Sequence, residues 1–211
     1  AILDANPLCL WTHARVPADC GVRKAYTCCG PASVSAYGRG SRVRFVLGYL
    51  ESRVYHRLAL RADHLHFLSR GHRALFPADV RARPSTVIPT IPPPEKDFNL
   101  PRKGVGYVGR KSPGKGWPLL KQAWPEVRHF EGTHDEVVTN MGLVEVLVVP
   151  SLTPEAWSRT AYEAMSVGTP VVALNRGANF EQIMEGPQPA AGYICAPVTL
   201  KLALTEALIR V

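Results

Sequence analysis

The fold of this chain is decided by residues 146–173, which read VLVVPSLTPEAWSRTAYEAMSVGTPVVA. The first four of these residues are all apolar, as expected for a parallel strand that is buried on both faces. Pro150 ends this strand, and a second apolar strand follows Pro170. The pattern therefore predicts strand, loop, helix, turn and strand, with the loop at the carboxyl edge of a parallel sheet, where open α/β sheets bind their ligands.

The helix of this unit is predicted between Ser158 and Val167. Ala161, Ala164 and Met165 recur at helical spacing and form its predicted buried stripe. Gly168 follows the last helical residue, at the position where a helix commonly ends in a left-handed glycine. The residues between the strand and this helix are therefore predicted to form a binding loop.

Two glutamates, Glu155 and Glu163, lie in this loop and in the helix. An ionised carboxylate accepts hydrogen bonds from paired hydroxyl groups, so two carboxylates that face one cleft suit a sugar and a ribose. A structural interpretation is also open, in which Glu155 stabilises the start of the helix and Glu163 faces solvent.

A second segment predicts an anion site. Residues Gly104–Arg110 form a glycine-rich strand, a turn-rich loop follows it, and a helix is predicted from Trp117 to Trp124. Arg110 and Lys115 then lie at the carboxyl end of a strand, beside the start of a helix. Both the side chains and the helix N-terminus favour phosphate groups at such a place.

Together these segments resemble the donor site of family 4 retaining glycosyltransferases of the GT-B fold. The resemblance extends from about Arg61 to Val211 and is strongest in the second half of the chain. The residues that carry it are Pro150-Ser151, Glu155, Glu163-Ala164-Met165, Gly168-Thr169-Pro170-Val171-Val172, Gly177 and Glu181.

The resemblance implies an α/β protein with two Rossmann-like domains and parallel sheets. Residues 1–95 would form a reduced N-terminal domain on the acceptor side, and residues 102–211 a C-terminal domain that binds the nucleotide-sugar donor. The linker is predicted between Pro92 and Arg102, where the chain is rich in proline.

The resemblance also implies roles for individual residues. Arg110 and Lys115 would neutralise the departing diphosphate without a metal, Glu155 would orient hydroxyl groups of the sugar, and Glu163 would hold the ribose. Arg110, Lys115 and Glu155 are thus the predicted catalytic residues, with no cofactor and with a UDP- or GDP-sugar as co-substrate. The further donor-binding residues are Gly109, Ala156, Trp157, Ser158, Arg159, Thr160 and His13.

The function expected from this resemblance is transfer of a sugar, with retention, to a saccharide, a lipid or another small molecule. Members of the family usually begin with a glycine-rich loop and end with a helix that returns to the first domain, and neither is found between Ala1 and Val211. A nucleotide-sugar-binding module, or one part of a split transferase that is inactive alone, is therefore a second hypothesis. A sugar transferase that modifies nucleic acid is a third.

The charge of the chain is unevenly distributed. Its 211 residues carry a formal net charge of +8, and residues 1–99 hold 14 of the 25 basic residues but only 7 of the 17 acidic ones. A basic half suits an anionic membrane surface or nucleic acid, although an ordinary soluble surface explains it equally well.

The expected location is cytoplasmic, with peripheral membrane association through this basic half. There is no apolar run near the roughly 20 residues that a membrane span requires, and no signal-peptide pattern. The five cysteines lack Cys-x-x-Cys spacing, so we expect reduced thiols and no metal site. A homo-oligomer is expected if apolar surface stays uncovered.

Overall fold

The computed structural model describes residues 54, 56–90, 101–185 and 192–210. The chain divides into two units, Ala1–Pro89 and Thr90–Val211. This division lies slightly before the linker that the sequence predicts between Pro92 and Arg102. The candidate site residue His13 lies outside the described residues.

The first unit contains a small parallel sheet. Its two strands pair in register from Leu65 with Ser85 to Phe67 with Val87, and residues 56–61 are helical. Two short helices connect the strands, as a parallel connection requires. In chain order the elements are β1 (Leu65–Phe67), α1 (Arg70–Ala74), α2 (Ala78–Arg81) and β2 (Ser85–Val87).

An apolar cluster holds this first unit together. Phe67, Phe76 and Val80 are each less than one tenth exposed and pack with Ala59, Ala62 and Leu65. Ser69 caps α1, because its side-chain oxygen accepts the backbone N–H of His72 at 2.8 Å.

The second unit is a parallel sheet with helices on both faces. In chain order its elements are β3 (Val105–Val108), α3 (Trp117–Ala123), β4 (Arg128–Phe130), α4 (His134–Met141), β5 (Val146–Val149), α5 (Arg159–Ser166), β6 (Val171–Leu174), α6 (Asn179–Met184), β7 (Gly192–Cys195), a 3-10 turn (Pro197–Thr199) and α7 (Leu200–Arg210).

The strand order of this sheet creates a crevice. The order is β4-β3-β5-β6-β7, and every pair is parallel. The chain changes its winding direction between β3 and β5, so that α3 packs on one face and α5 on the other. The loops that follow β3 and β5 therefore diverge, which is where doubly wound sheets bind ligands. The predicted α/β class with parallel sheets is confirmed.

The central strand β5 is buried on both faces, as its apolar sequence predicts. Val146 and Val148 pack in the core beneath α3 and α7, whereas Leu147 and Val149 pack in the core beneath α4, α5 and α6. This alternation follows from the two-residue period of a strand. Only a strand covered by helices on both faces tolerates four consecutive apolar residues.

Helix α5 agrees with its prediction except in one detail. Ala161 and Ala164 are fully buried, and Gly168 has a φ of 69°, as expected for a helix end. Met165, however, is only partly buried, whereas Tyr162 is 2% exposed. The edge of the Tyr162 ring packs against Trp157 with 5.4 Å between the ring centres, so the buried stripe is rotated toward Tyr162.

The chain between β4 and β5 is short. One helix, α4, fills this connection, and β4 pairs directly with β3. Thr133 begins α4 with a capping box, because its hydroxyl accepts the N–H of Glu136 while the Glu136 carboxylate accepts the N–H of Thr133. Among the described residues, no helix is both long enough and apolar enough to cross a bilayer.

Candidate functional site

A cavity of about 230 Å³ opens where β3 and β5 end. It lies at the point where the winding of the sheet reverses, and its walls come from the two diverging loops and the first turn of α5. The lining residues are Tyr107, Val108, Gly109, Lys115, Val149, Pro150, Ser151, Glu155, Trp157, Ser158, Arg159 and Thr160.

The two loops that form the cavity are bonded to each other. The backbone carbonyl of Gly114 accepts the N–H groups of Leu152 at 3.0 Å and Thr153 at 3.2 Å. Gly116 has a φ of 73°, and a Cβ atom there would lie 1.8 Å from the carbonyl oxygen of Pro150. Glycine is therefore required at residue 116, because any side chain would push the loops apart.

A cation and a carboxylate face each other in the cavity. The Lys115 Nζ atom lies 2.7 Å from Oε1 of Glu155, and the hydroxyl of Ser151 donates to the same oxygen at 2.5 Å. The Lys115 and Glu155 side chains are 35% and 16% exposed. Oε2 of Glu155 makes no hydrogen bond to any of the described residues. One carboxylate oxygen is therefore held in place and the other is available.

The backbone of Glu155 is held from the opposite side. Glu155 and Gly177 form a parallel β-bridge, and the Glu155 carbonyl accepts the N–H of Ala178 at 2.8 Å. Gly177 has a φ of 63°, and a Cβ atom there would lie 2.2 Å from the carbonyl oxygen of Glu155. The segment that follows β6 thus fixes the position of the loop that carries the carboxylate.

The start of α5 is held by a buried glutamine. The Gln182 side chain accepts the N–H of Ser158 at 2.8 Å and donates to the Ser158 carbonyl at 2.7 Å. The Ser158 hydroxyl accepts the N–H of Ala161, which caps the helix. The N–H groups of Arg159 and Thr160 make no hydrogen bond within the described part of the chain, so this first turn presents free donors to an anion.

Three rings pack together beside the glycine-rich loop, and two of them contact its backbone. Tyr107, Trp117 and His129 lie with their ring centres 5.2 to 5.5 Å apart. The Tyr107 hydroxyl donates to the carbonyl of Arg110 at 2.7 Å. Burial raises the pKa of Tyr107 to about 12, the charge of Glu155 adds to this increase, and that of Arg110 opposes it. Tyr107 therefore stays neutral as a hydrogen-bond donor at ordinary pH.

Most of the residues that the sequence predicts for the donor site line the same cavity. The predicted anion loop and the predicted carboxylate loop come from separate segments, and the sheet brings them together. The predicted residues that line the cavity are Gly109, Lys115, Glu155, Trp157, Ser158, Arg159 and Thr160.

Three predicted site residues among those that the structure describes do not line it. The side chain of Arg110 is exposed, and Ala156 is absent from the cavity wall. Glu163 also lies outside the wall, but its side chain is only 18% exposed and its Oε1 atom is 3.9 Å from Nδ1 of His134. The alternative in which Glu163 simply faces solvent is therefore wrong. His13 is outside the described residues.

Three supporting residues were not singled out from the sequence as site residues. Ser151 lies four residues before Glu155, and this spacing is a weak signal for a contact in a loop. Gln182 is 1% exposed, but no local pattern indicates that a helical glutamine will bond a distant backbone. His129 contacts Gly109 across two paired strands, and such a contact follows only from the strand order.

The comparisons with known proteins agree with this geometry. Residues 128–211 match the family model for glycosyl transferases group 1. This match includes Glu155 and α5, whereas the glycine-rich loop with Lys115 precedes it. No curated protein matches the sequence of this chain.

Two solved structures of a cyanobacterial protein share the fold. The crystal structure of Anabaena Alr3699/HepE in complex with UDP-glucose has 21% identity and a TM-score of 0.53, and the match covers 88% of this chain and 66% of that chain. The structure of the same protein with UDP and glucose has 21% identity and a TM-score of 0.54 over 89% of this chain and 66% of that chain. This chain thus spans just under two thirds of their length. The predicted GT-B-like fold class is confirmed.

Proposed function

We propose that this chain transfers a sugar from a nucleotide-sugar donor to an acceptor, with retention of the anomeric configuration. The donor would be a UDP- or GDP-sugar, and the acceptor a saccharide, a lipid or another small molecule. The proposal rests on the match to glycosyl transferases group 1 in residues 128–211 and on the residues that meet in the cavity.

The observation that carries this proposal is the convergence of three groups on one cavity. Lys115 contributes a positive charge, the first turn of α5 contributes free N–H groups, and Glu155 contributes a carboxylate with one available oxygen. The first two suit a diphosphate, and the third suits neighbouring hydroxyl groups of a sugar. A nucleoside diphosphate linked to a sugar contains both kinds of group.

The ion pair between Lys115 and Glu155 has to be broken when a donor diphosphate binds to Lys115. The charge of Lys115 is balanced by the Glu155 carboxylate at 2.7 Å. A donor diphosphate competes with this carboxylate for Lys115, and Arg159 adds charge at the cavity wall. The carboxylate released in this way becomes a hydrogen-bond acceptor for the sugar.

The chemical step breaks the bond between the anomeric carbon and the diphosphate oxygen, and a bond from the acceptor oxygen to the same carbon forms on the same face. The departing diphosphate gains negative charge, which Lys115 and the free N–H groups of α5 would stabilise as it develops. The acceptor proton moves to the departing phosphate, so no protein base is assigned. Arg110 and Glu163 would assist from the edge of the site, at the diphosphate and the ribose.

The first test is thermal stabilisation of the chain by a panel of nucleoside diphosphates and nucleotide sugars. A ligand at 100 times its dissociation constant adds about 2.7 kcal/mol to the free energy of unfolding. We expect one base to raise the melting temperature selectively, and the increase to be strongly reduced in Lys115→Met. Lys111→Met is the matched control, because Lys111 lies in the same loop but does not line the cavity.

Glu155→Gln tests separately how the diphosphate and the sugar of the donor contribute to binding. Removing this charge frees Lys115, so a nucleoside diphosphate should bind at least as tightly as it does to the wild type. The additional affinity that the sugar provides should be lost, because an amide accepts fewer hydrogen bonds than a carboxylate. A wild-type protein that no nucleotide stabilises would contradict the proposed function. Release of nucleoside diphosphate in an acceptor screen then distinguishes a transferase from a binding module.

A further inference from the structure

We propose that His129 is a positioning residue of this site, which orients one backbone N–H toward the bound diphosphate. The inference rests on the proposed function, because it assigns a contact to the same donor. His129 lies in β4, outside the two segments that carry the predicted donor residues, and does not line the cavity itself. It acts on the site through the backbone of Gly109.

The contact between His129 and Gly109 is well defined. Nε2 of His129 lies 2.8 Å from the carbonyl oxygen of Gly109. Since a carbonyl oxygen only accepts, Nε2 is the nitrogen that carries a proton here. The side chain is 9% exposed, and its ring stacks on Tyr107 with 5.4 Å between ring centres and 28° between the ring planes. Nδ1 lies 3.4 Å from Oε1 of the exposed Glu131 side chain.

This contact and the strand order together indicate the direction in which the N–H of Arg110 points. Since β4 lies on one side of β3 and β5 on the other, the Gly109 carbonyl points toward β4. In a trans peptide the carbonyl and the following N–H point in opposite directions. The N–H of Arg110 therefore points away from the His129 ring and from β4, the strand on the side of β3 opposite to β5, whose end forms the cavity wall.

The N–H of Arg110 is available in this position. It makes no hydrogen bond to any described residue, whereas the carbonyl of Arg110 accepts the Tyr107 hydroxyl at 2.7 Å. Two side chains, His129 and Tyr107, thus hold the carbonyls on either side of this N–H. A backbone donor oriented in advance, in the same loop as Lys115, is suited to a phosphate oxygen.

Two substitutions separate the hydrogen bond from the packing of the ring. His129→Phe keeps an aromatic ring against Tyr107 but removes the donor to Gly109. His129→Gln keeps an N–H within reach of the carbonyl but removes the aromatic ring. Trp117→Phe is the control, because it perturbs the same group of rings without altering the contact with the Gly109 carbonyl.

The readout is the dissociation constant of each full-length variant for a nucleoside diphosphate and for the same nucleoside without phosphate. We expect His129→Phe to bind the diphosphate about tenfold more weakly and the nucleoside unchanged. His129→Gln should bind the diphosphate within about threefold of the wild type, although we expect it to be less stable than His129→Phe. Trp117→Phe should bind the diphosphate as the wild type does.

A purely structural role for His129 predicts a different ranking of the binding affinities of the variants. Affinity would then follow the melting temperature, and His129→Gln would be the weaker binder for both ligands. That result, or equal diphosphate affinity in His129→Phe and the wild type, overturns the assignment of His129 while leaving the proposed function intact. A wild-type protein that binds no nucleoside diphosphate overturns the proposed function, and the assignment of His129 with it.

Discussion

The two loops that form the cavity are held in place by different means. The loop after β3 contains Gly109, Gly114 and Gly116, and the aromatic residues of β3, α3 and β4 support it from below. The loop after β5 has no glycine, and the segment after β6 fixes it through backbone and side-chain hydrogen bonds. Both loops present charged side chains to the same space.

This difference has a physical origin. The loop after β3 must pass very close to Pro150, and only a residue without a Cβ atom allows that approach. The loop after β5 carries Glu155 and Trp157, so it keeps its side chains and obtains its rigidity from partners elsewhere. We therefore expect the first loop to be sensitive to added atoms and the second to be sensitive to lost hydrogen bonds.

The largest expected effect comes from adding one carbon atom to the first loop. Gly116→Ala would place a Cβ atom 1.8 Å from the Pro150 carbonyl oxygen at a φ of 73°. Left-handed strain and overpacking together should lower the free energy of unfolding by about 2–5 kcal/mol. Denaturant unfolding of the purified variant measures this loss.

Gly104→Ala is the matched control for this prediction. Gly104 has a similar φ of 74°, but a Cβ atom there would meet nothing within 4 Å. Only the left-handed strain remains, so the loss should be about 1–2 kcal/mol. Equal losses in the two variants would show that the close approach to Pro150 contributes nothing.

A smaller loss is expected when the second loop loses its support. Gln182→Leu keeps the bulk of the side chain but leaves the buried N–H of Ser158 without a partner, whereas the Ser158 carbonyl still accepts the N–H of Tyr162 at 3.2 Å. One buried unsatisfied group costs about 1–3 kcal/mol, so we expect a loss of free energy of unfolding in this range. Gln122→Leu makes the same chemical change on the exposed surface of α3 and should alter stability by less than about 0.5 kcal/mol. Unfolding midpoints that agree for the two variants would contradict this assignment.

The third prediction concerns the pH dependence of the first loop. The pKa of Tyr107 is raised to about 12 in the folded protein, whereas an unfolded tyrosine titrates near 10. The stabilisation is therefore complete below pH 10 and is lost as the pH rises toward 12, by roughly 2–3 kcal/mol. Tyr107→Phe lacks this dependence, although it loses about 1 kcal/mol at neutral pH with the hydrogen bond to Arg110.

The measurement is the difference in free energy of unfolding between Tyr107→Phe and the wild type from pH 8 to pH 12. Because other groups titrate equally in both proteins, the difference isolates Tyr107. It should favour the wild type by about 1 kcal/mol at pH 8, shrink above pH 10 and favour Tyr107→Phe by pH 12. A difference that stays constant over this range would mean that Tyr107 ionises as freely in the folded protein as in the unfolded one.

The parts of the site that were predictable are those encoded by local patterns. The apolar run of β5, the helix predicted between Ser158 and Val167 and the terminal glycine Gly168 all have short-range physical causes, and each was found where it was expected. Met165 packs against the predicted core but is only partly buried, whereas Tyr162 is 2% exposed. Helical spacing alone does not reveal that Tyr162 packs against Trp157.

The sequence by itself determined which chemical groups the chain carries and at which ends of strands they lie. In a parallel sheet every strand is followed by a loop at the same edge, and this rule alone puts Lys115 and Glu155 at one edge. Their distance of 2.7 Å was decided only by the tertiary structure, because it depends on β3 and β5 being neighbours. The contacts of His129 and Gln182 were decided in the same way. A hydrogen bond between residues distant in the chain depends on the strand order, and no local pattern of residues encodes that order.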